Sequence, residues 1–188
     1  PGAAAHAPAA VTGGQGADNI NAGAGDDLIY GFVGADTVNG GDGTDAIVLS
    51  ATSQELNTAG GTDARLSAIE VVSASGATAG VTISLTGQNE GFSIAGGASA
   101  DSLSGGSGAD SFIGFAGADK IVGGGGVDVI VLSATSADLI SAADANIVGV
   151  ESISAAGADA GVSITLTGQT EGFTLTGSAY ADVLTGTR

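Results

Sequence analysis

The chain has 188 residues, enough for one elongated domain or two modest ones, but its composition is unusual for a packed globule. It contains 35 Gly, no Trp and no Met, and its formal net charge at pH 7 is -17. This charge argues against nucleic acid or an anionic membrane as a partner and favours a cation. Cysteine is absent, which excludes disulfides and thiolate metal sites, and no apolar stretch is long enough to predict membrane insertion.

Residues 1–12 are predicted to form a flexible arm, because the chain starts with the Pro- and Ala-rich segment PGAAAHAPAA. The arm carries the only histidine, His6. Its isolation is typical of a solvated residue and not of a catalytic one.

Two runs with a nine-residue period follow, at 13–48 and 96–131, and a ninth unit at 177–185 begins a third run predicted to occupy 177–188. The first run reads GGQGADNIN, AGAGDDLIY, GFVGADTVN and GGDGTDAIV. The sixth place is Asp in all nine units: Asp18, Asp27, Asp36, Asp45, Asp101, Asp110, Asp119, Asp128 and Asp182. The eighth place is always apolar: Ile20, Ile29, Val38, Ile47, Leu103, Phe112, Ile121, Ile130 and Leu184.

The spacers at 49–95 and 132–176 repeat each other, since SATS, LTGQ and EGF recur in both. Such nested periods indicate a solenoid, in which each unit buries its apolar face by stacking on its neighbours. Each spacer is predicted to contain one short helix, with Thr52 or Thr135 as the first residue of a capping box. The segments VTISL and VSITL alternate apolar and polar residues, as half-buried strands do.

Several residues of the runs and spacers allow two interpretations. Phe92 stands where the frame has Asp, which predicts a core residue in a coil without a cation, and Phe173 of the second spacer is likewise predicted to fill the core. Phe32 and Phe115 replace second-place glycines, and they either pack against the spacer helix or contact another subunit. Glu90 and Glu171 are either solvated turn residues or extra oxygen ligands.

The nine-residue spacing is suited to a calcium-binding turn. Glycines at the first, second and fourth places allow a tight turn whose carbonyls face one point, and the sixth-place carboxylate joins them. Calcium accepts six to eight carbonyl and carboxylate oxygens in irregular geometry, whereas magnesium requires a stricter octahedron and zinc prefers His or Cys.

Two units make one coil, so turns on the same side of the solenoid are 18 residues apart in sequence and about 4.8 Å apart in space. At least four ions are therefore predicted between paired turns. The pairs are Asp18 with Asp36, Asp27 with Asp45, Asp101 with Asp119, and Asp110 with Asp128.

These units resemble the calcium-binding nonapeptide of the repeats-in-toxin (RTX) family, GGxGxDxUx with U apolar, and residues 13–21 match every place. The resemblance implies an all-β fold, a right-handed parallel β-roll or β-solenoid with calcium-binding turns, with short helical segments in the spacers. It also implies calcium-triggered folding and type I secretion. Ser99 and Tyr180 replace the fourth-place Gly, so less complete coordination is expected in their two turns.

A disordered low-complexity linker is the main competing interpretation, but it does not explain why nine of 15 Asp fill all nine sixth places. An antifreeze solenoid would need an outward Thr or Asn ladder, which the fifth place lacks.

The chain contains no HExxH or GxSxG motif, so a non-enzymatic role is predicted. We expect a secreted bacterial protein, extracellular or at the cell surface, that serves as a calcium-dependent subunit of a surface layer or fibre. It would assemble as a homo-oligomer or filament through head-to-tail contacts. The alternative is a secretion, folding or spacer module of a larger RTX adhesin or exoenzyme.

Overall fold

The computed structural model describes residues 7–59 and 63–187, and His6 lies outside this part of the chain. The described residues form a parallel β-solenoid of nine coils, each of which contributes one strand to each of two faces. The predicted all-β solenoid is confirmed. None of the helices in these residues is long and apolar enough to cross a bilayer.

One face is a single nine-stranded parallel sheet, here called the long sheet, that continues through both spacers. Facing residues are 18 apart in sequence within the runs, as in Ala10 with Leu28, and more than 20 apart where a spacer intervenes, as in Ala46 with Val71. Its strands are β1 (Ala10–Thr12), β3 (Leu28–Tyr30), β5 (Ala46–Val48), β7 (Val71–Ser73), β9 (Ser93–Ala95), β11 (Ser111–Ile113), β13 (Val129–Val131), β15 (Ser152–Ser154) and β17 (Thr174–Thr176).

The opposite face, here called the divided face, consists of three shorter parallel sheets. The first contains β2 (Asn19–Ala24), β4 (Thr37–Asp42) and β6 (Leu66–Ser67). The second contains β8 (Thr82–Ser84), β10 (Ser102–Ser104), β12 (Lys120–Val122) and β14 (Ile147–Val148). The third contains β16 (Ser163–Thr165) and β18 (Val183–Thr185). The predicted strands in VTISL and VSITL are β8 and β16, so both are confirmed.

The predicted spacer helices are also present, as α1 (Gln54–Ala59) and α2 (Ala137–Ile140). Each is followed by a single 3-10 turn, Asp63–Arg65 or Asp144–Asn146. The predicted cap residues were wrong by one position. Ser53 and Ser136, and not the threonines before them, accept the backbone N–H groups of Leu56 and Leu139 with their hydroxyl oxygens, at 3.0 Å in both cases.

The threonines instead serve the strand that follows each break in the divided face. Thr52 Oγ1 accepts the backbone N–H of Thr82 in β8 at 2.9 Å, and Thr135 Oγ1 accepts that of Ser163 in β16 at 2.8 Å. The Asn57 side chain also donates to the carbonyl oxygen of Thr82 and accepts the backbone N–H of Ser84, both in β8. Helix α1 therefore satisfies polar groups that a paired strand would otherwise satisfy.

The core lies between the two faces. The eighth-place residues of both runs are buried, from fully enclosed Ile29 to Ile20 at 6% exposure, because alternate strand positions point inward. Phe32 and Phe115 are buried in the same cluster as Leu56 and Leu139 of the helices, which supports the packing interpretation and argues against a subunit contact. Phe92 is buried as predicted, whereas Phe173 is half-buried and packs against the core.

The solenoid begins before the first predicted run. Strand β1 lies in the last three residues of the segment predicted as an arm and pairs with β3 in the long sheet. At the other end, β18 of the ninth nonapeptide pairs with β16, so the third run is stacked on the second spacer.

Candidate calcium-binding turns

The nine sixth-place aspartates each directly precede a strand and lie along two edges of the solenoid. The first edge, where the chain passes from the long sheet to the divided face, carries Asp18, Asp36, Asp101, Asp119 and Asp182. The second edge, where it returns, carries Asp27, Asp45, Asp110 and Asp128. Each predicted pair lies on adjacent coils of one edge, because the strands after the two members pair with an 18-residue offset.

The structure gives these aspartates a role in coil stacking that the sequence did not reveal. In eight of the nine, Oδ1 accepts a backbone N–H from the preceding coil at 2.7–2.9 Å. Asp36, for example, accepts the N–H of Asp18, and Asp45 accepts that of Asp27. We call this series of bonds along each edge the carboxylate ladder. Charged acceptors make such bonds stronger than neutral ones.

The second carboxylate oxygen divides eight of the nine turns into two groups. In five aspartates Oδ2 accepts an N–H of its own turn, at 2.6–3.1 Å: Asp18, Asp36, Asp101, Asp110 and Asp119. In Asp27, Asp45 and Asp128, Oδ2 is buried and has no hydrogen-bond partner. All three of these belong to the second edge. A buried carboxylate oxygen without a partner is costly, so these turns are suited to an additional ligand.

Backbone conformation explains why these three oxygens lack a donor. The glycine four residues before each has a positive φ: 113° at Gly23, 111° at Gly41 and 112° at Gly124. This rotates the peptide away from the arrangement in which Gly106 donates to Asp110.

At Gly41 and Gly124, adjacent turns approach so closely that only glycine fits. A Cβ added at Gly41 would overlap the carbonyl oxygen of Gly23, and one at Gly124 would overlap that of Gly106. Carbonyl oxygens from one coil therefore lie against the turn of the next, beside the buried carboxylates.

This donor set fits calcium, which binds mixed carbonyl and carboxylate oxygens. The described residues contain no cluster of three or more His, Cys, Asp or Glu that could hold a metal ion by side chains alone. A cation in these turns would therefore draw part of its coordination from backbone carbonyls, as the sequence predicts. The assignment of individual aspartates as calcium ligands stays a prediction.

The electrostatics of the turns also favour a cation. Burial raises the pKa of Asp45, Asp110 and Asp119 above the usual 3.8, and it raises the pKa of Asp128 to about 6. The neighbouring negative charges of Asp110 and Glu151 act on Asp128 in the same direction.

The pKa of Asp182 is instead lowered, first by the hydrogen bond from the N–H of Val162 and then by the hydrogen bond from the Ser178 hydroxyl.

Two glutamates of the ladder were missed by the sequence analysis. Glu70 Oε2 accepts the N–H of Asp45 at 2.8 Å, and Glu151 Oε2 accepts that of Asp128 at 2.7 Å. Each directly precedes a strand of the long sheet, as the aspartates of the second edge do. The available signal was a Glu two residues before the buried Val72 or Ile153, but the helices interrupt the nine-residue count.

Glu90 and Glu171, the other glutamates considered as ligands, differ in exposure. Glu90 is exposed in its turn, whereas Glu171 is half-buried and its Oε2 is enclosed by protein. Their role as ligands stays open.

Comparison with known proteins agrees with the repeat frame. Residues 12–47 and 95–130 match the family described as RTX calcium-binding nonapeptide repeat (4 copies). No curated protein and no solved structure matched the chain. The matched segments contain eight of the nine aspartates and lie where the glycine turns stack. The chain therefore carries two blocks of the RTX calcium-binding nonapeptide repeat.

Proposed function

We propose that this chain is a calcium-dependent extracellular structural protein, a subunit of a surface layer or fibre whose solenoid is itself the material. The observation that supports this proposal most directly is the unbroken long sheet, which joins both RTX runs and both spacers into one nine-stranded unit. The spacers add coils to the rod and do not form separate folded bodies beside it.

Calcium serves in this proposal as the folding trigger. The second edge brings Asp27, Asp45 and Glu70 onto successive coils, and their ionised forms repel one another. Cation binding removes this repulsion, and its free energy adds to the free energy of folding when the site does not exist in the unfolded chain. RTX repeat proteins are generally secreted by type I secretion, and export of an unfolded chain into calcium-rich surroundings suits this coupling.

Circular dichroism of the chain in chelator and then in millimolar calcium tests the proposal. We expect a largely disordered spectrum in chelator and a strand spectrum after calcium is added. Magnesium at the same concentration serves as the control and should produce much less strand signal. A full strand spectrum in chelator would contradict the calcium-dependent role.

A module of a larger RTX adhesin or exoenzyme is the second candidate. Val183 and Leu184 of the ninth nonapeptide are 61% and 42% exposed, although Leu184 holds the eighth place that is buried in both runs. This exposed end would also suit a further coil of the same polypeptide. Mass spectrometry of the natural protein distinguishes the candidates, since a mature chain with an added catalytic or ligand-binding domain would favour the module.

A further inference from the structure

We infer that each spacer completes an additional divalent-cation site at the end of the RTX run that precedes it. The first site combines Asp45 with the carbonyl of Ala68 and the carboxylate of Glu70. The second combines the corresponding groups of Asp128, Gly149 and Glu151. The inference rests on the proposed calcium dependence, but it assigns a role to spacer residues that lie outside the matched repeats, which end at residues 47 and 130.

The first observation is an unsatisfied carboxylate oxygen at the same place in both runs. Asp45 and Asp128 are both fully buried, and Oδ2 of each has no hydrogen-bond partner. Their Oδ1 atoms are already engaged by N–H groups of the preceding coil, from Asp27 and Asp110. Oδ2 is thus the atom of each carboxylate that is available to an added ligand.

The second observation is a carbonyl oxygen that borders the same space as this atom. A Cβ added at Gly40 would overlap both Asp45 Oδ2 and the carbonyl oxygen of Ala68, so both oxygens border the same small space. In the second spacer, a Cβ at Gly123 would overlap both Asp128 Oδ2 and the carbonyl oxygen of Gly149. Two hydrogen-bond acceptors that border one space, one of them without a donor, are stabilised by a cation or a proton between them.

The backbone at the two carbonyls is held in an uncommon conformation. Ala68 has φ of 49° and Gly149 has φ of 62°, both in the left-handed region. Ala68 is one of only two described non-glycine residues with a positive φ. A non-glycine residue in this region carries a steric cost, and such residues concentrate at functional sites.

The glutamates supply a second negative charge close to Asp45 and Asp128. Glu70 and Glu151 are fixed by their bonds from the N–H groups of Asp45 and Asp128, and neither side chain is fully buried. Each site would therefore be open to solvent on the glutamate side, and water would complete the coordination of a calcium ion.

Basic side chains do not fill this role in the described part of the chain. Arg65 donates from Nε to the carbonyl oxygen of Asp36 on the first edge, and Lys120 is exposed there. A divalent cation, calcium in this family of repeats, is the partner that the two carboxylates fit.

Calcium titration calorimetry on the full chain at pH 7.5 tests the inference with the variant Glu70→Gln/Glu151→Gln. Glutamine keeps an oxygen that accepts the N–H groups of Asp45 and Asp128, so the coils should still stack. We expect the variant to bind two calcium ions fewer than the unchanged chain, or to bind two of them at least tenfold more weakly. Glu55→Gln, which removes one carboxylate charge in α1, is the matched control for each of the single changes Glu70→Gln and Glu151→Gln and should leave the titration unchanged.

The outcomes separate this inference from the proposed function. Unchanged calcium stoichiometry and affinity in the double variant would overturn the inference, whereas failure of the unchanged chain to bind calcium would overturn the proposed function itself. Circular dichroism in saturating calcium checks the fold of each variant. Should the double variant not fold, the single changes Glu70→Gln and Glu151→Gln decide, because each is expected to remove or weaken one site.

Discussion

At the scale of single residues, the sixth-place aspartate combines an observed role in coil stacking with a predicted role in calcium binding. It accepts an N–H of the preceding coil, and it is the predicted calcium ligand. The nine-residue frame identified all nine aspartates, since a fixed Asp two places before an apolar residue is visible in sequence. The bond between coils was not predictable, because it depends on which backbone groups the 18-residue stack brings together.

The raised pKa of Asp128 predicts a pH dependence of the metal-free chain. Its folded pKa of about 6 lies above the usual 3.8, so the proton contributes stability that is fully present below pH 3.8 and is lost as the pH rises to about 6. Asp45, Asp110 and Asp119 shift in the same direction. In chelator we therefore expect more strand structure at pH 4.5 than at pH 7, measured by circular dichroism at low protein concentration.

The variant Asp128→Asn provides the control for this pH effect. Asparagine retains an acceptor for the N–H of Asp110 but does not titrate, so the acid-induced gain should become smaller. Calcium at pH 7 should replace the proton and restore the strand spectrum. Loss of strand signal on acidification in chelator would show that the carboxylates are stabilised in their charged form.

At the scale of elements, the spacer helices show that a local sequence pattern predicts the presence of a helix but not its cap residue. The helices were predicted from Thr52 and Thr135 with an acidic residue three places later, and both exist. The caps are Ser53 and Ser136 because their hydroxyl groups also donate to the carbonyl oxygens of Phe32 and Phe115 in the preceding run. This contact joins residues 21 positions apart, which a capping pattern does not encode.

The bridging serines yield a prediction for stability. Changing Ser136 to Ala removes the cap of Leu139 N–H and leaves the Phe115 carbonyl without its hydroxyl donor, so the free energy of unfolding in calcium should fall by about 1–2 kcal/mol. Urea unfolding measures the loss. Ser133→Ala, at an exposed position of the same spacer, should cost much less. Equal losses in the two variants would mean that α2 is not anchored through its cap.

The spacers also explain why the two glutamates of the carboxylate ladder, Glu70 and Glu151, were not predicted from the sequence. In the runs, two nonapeptides form each coil, and the register can be counted directly. In the spacers, the offset between facing strands of the long sheet becomes 25 residues from Ala46 to Val71 and 23 from Val129 to Ser152. An insertion of a helix leaves no fixed period, so Glu70 and Glu151 could be placed only from the folded structure.

At the scale of the whole molecule, the second edge shows a repeat of four coils. The residues that directly precede the strands of the long sheet are Asp27, Asp45, Glu70 and Phe92 in the first copy, and Asp110, Asp128, Glu151 and Phe173 in the second. In each copy, the first three coils therefore carry a carboxylate at this position and the fourth carries an aromatic residue. The backbone N–H of Phe92 then donates to Asp110, which joins the copies without a gap in the sheet.

The ends of this stack predict self-association. In the described part of the chain, β17 and β18 each pair on one side only, and so do β1 and β2 at the other end. Unpaired strand edges next to exposed Val183 and Leu184 are adhesive, and contact between opposite ends of two copies generates an open filament. We therefore expect calcium-dependent fibres in electron micrographs of the folded chain, because only the folded solenoid presents these edges.

The variant Leu184→Asp tests whether the last coil forms this contact. Leu184 is partly exposed, so an aspartate there should affect the fold little but should place a charge against the docked coil of a second copy. Val127→Asp, at a position 67% exposed in a turn of the second run, is the matched control and should leave fibres intact. Sedimentation of both variants in calcium gives the comparison. A monomer at high protein and calcium concentration in the unchanged chain would refute end-to-end assembly, and fibres that persist in Leu184→Asp would place the contact elsewhere on the solenoid.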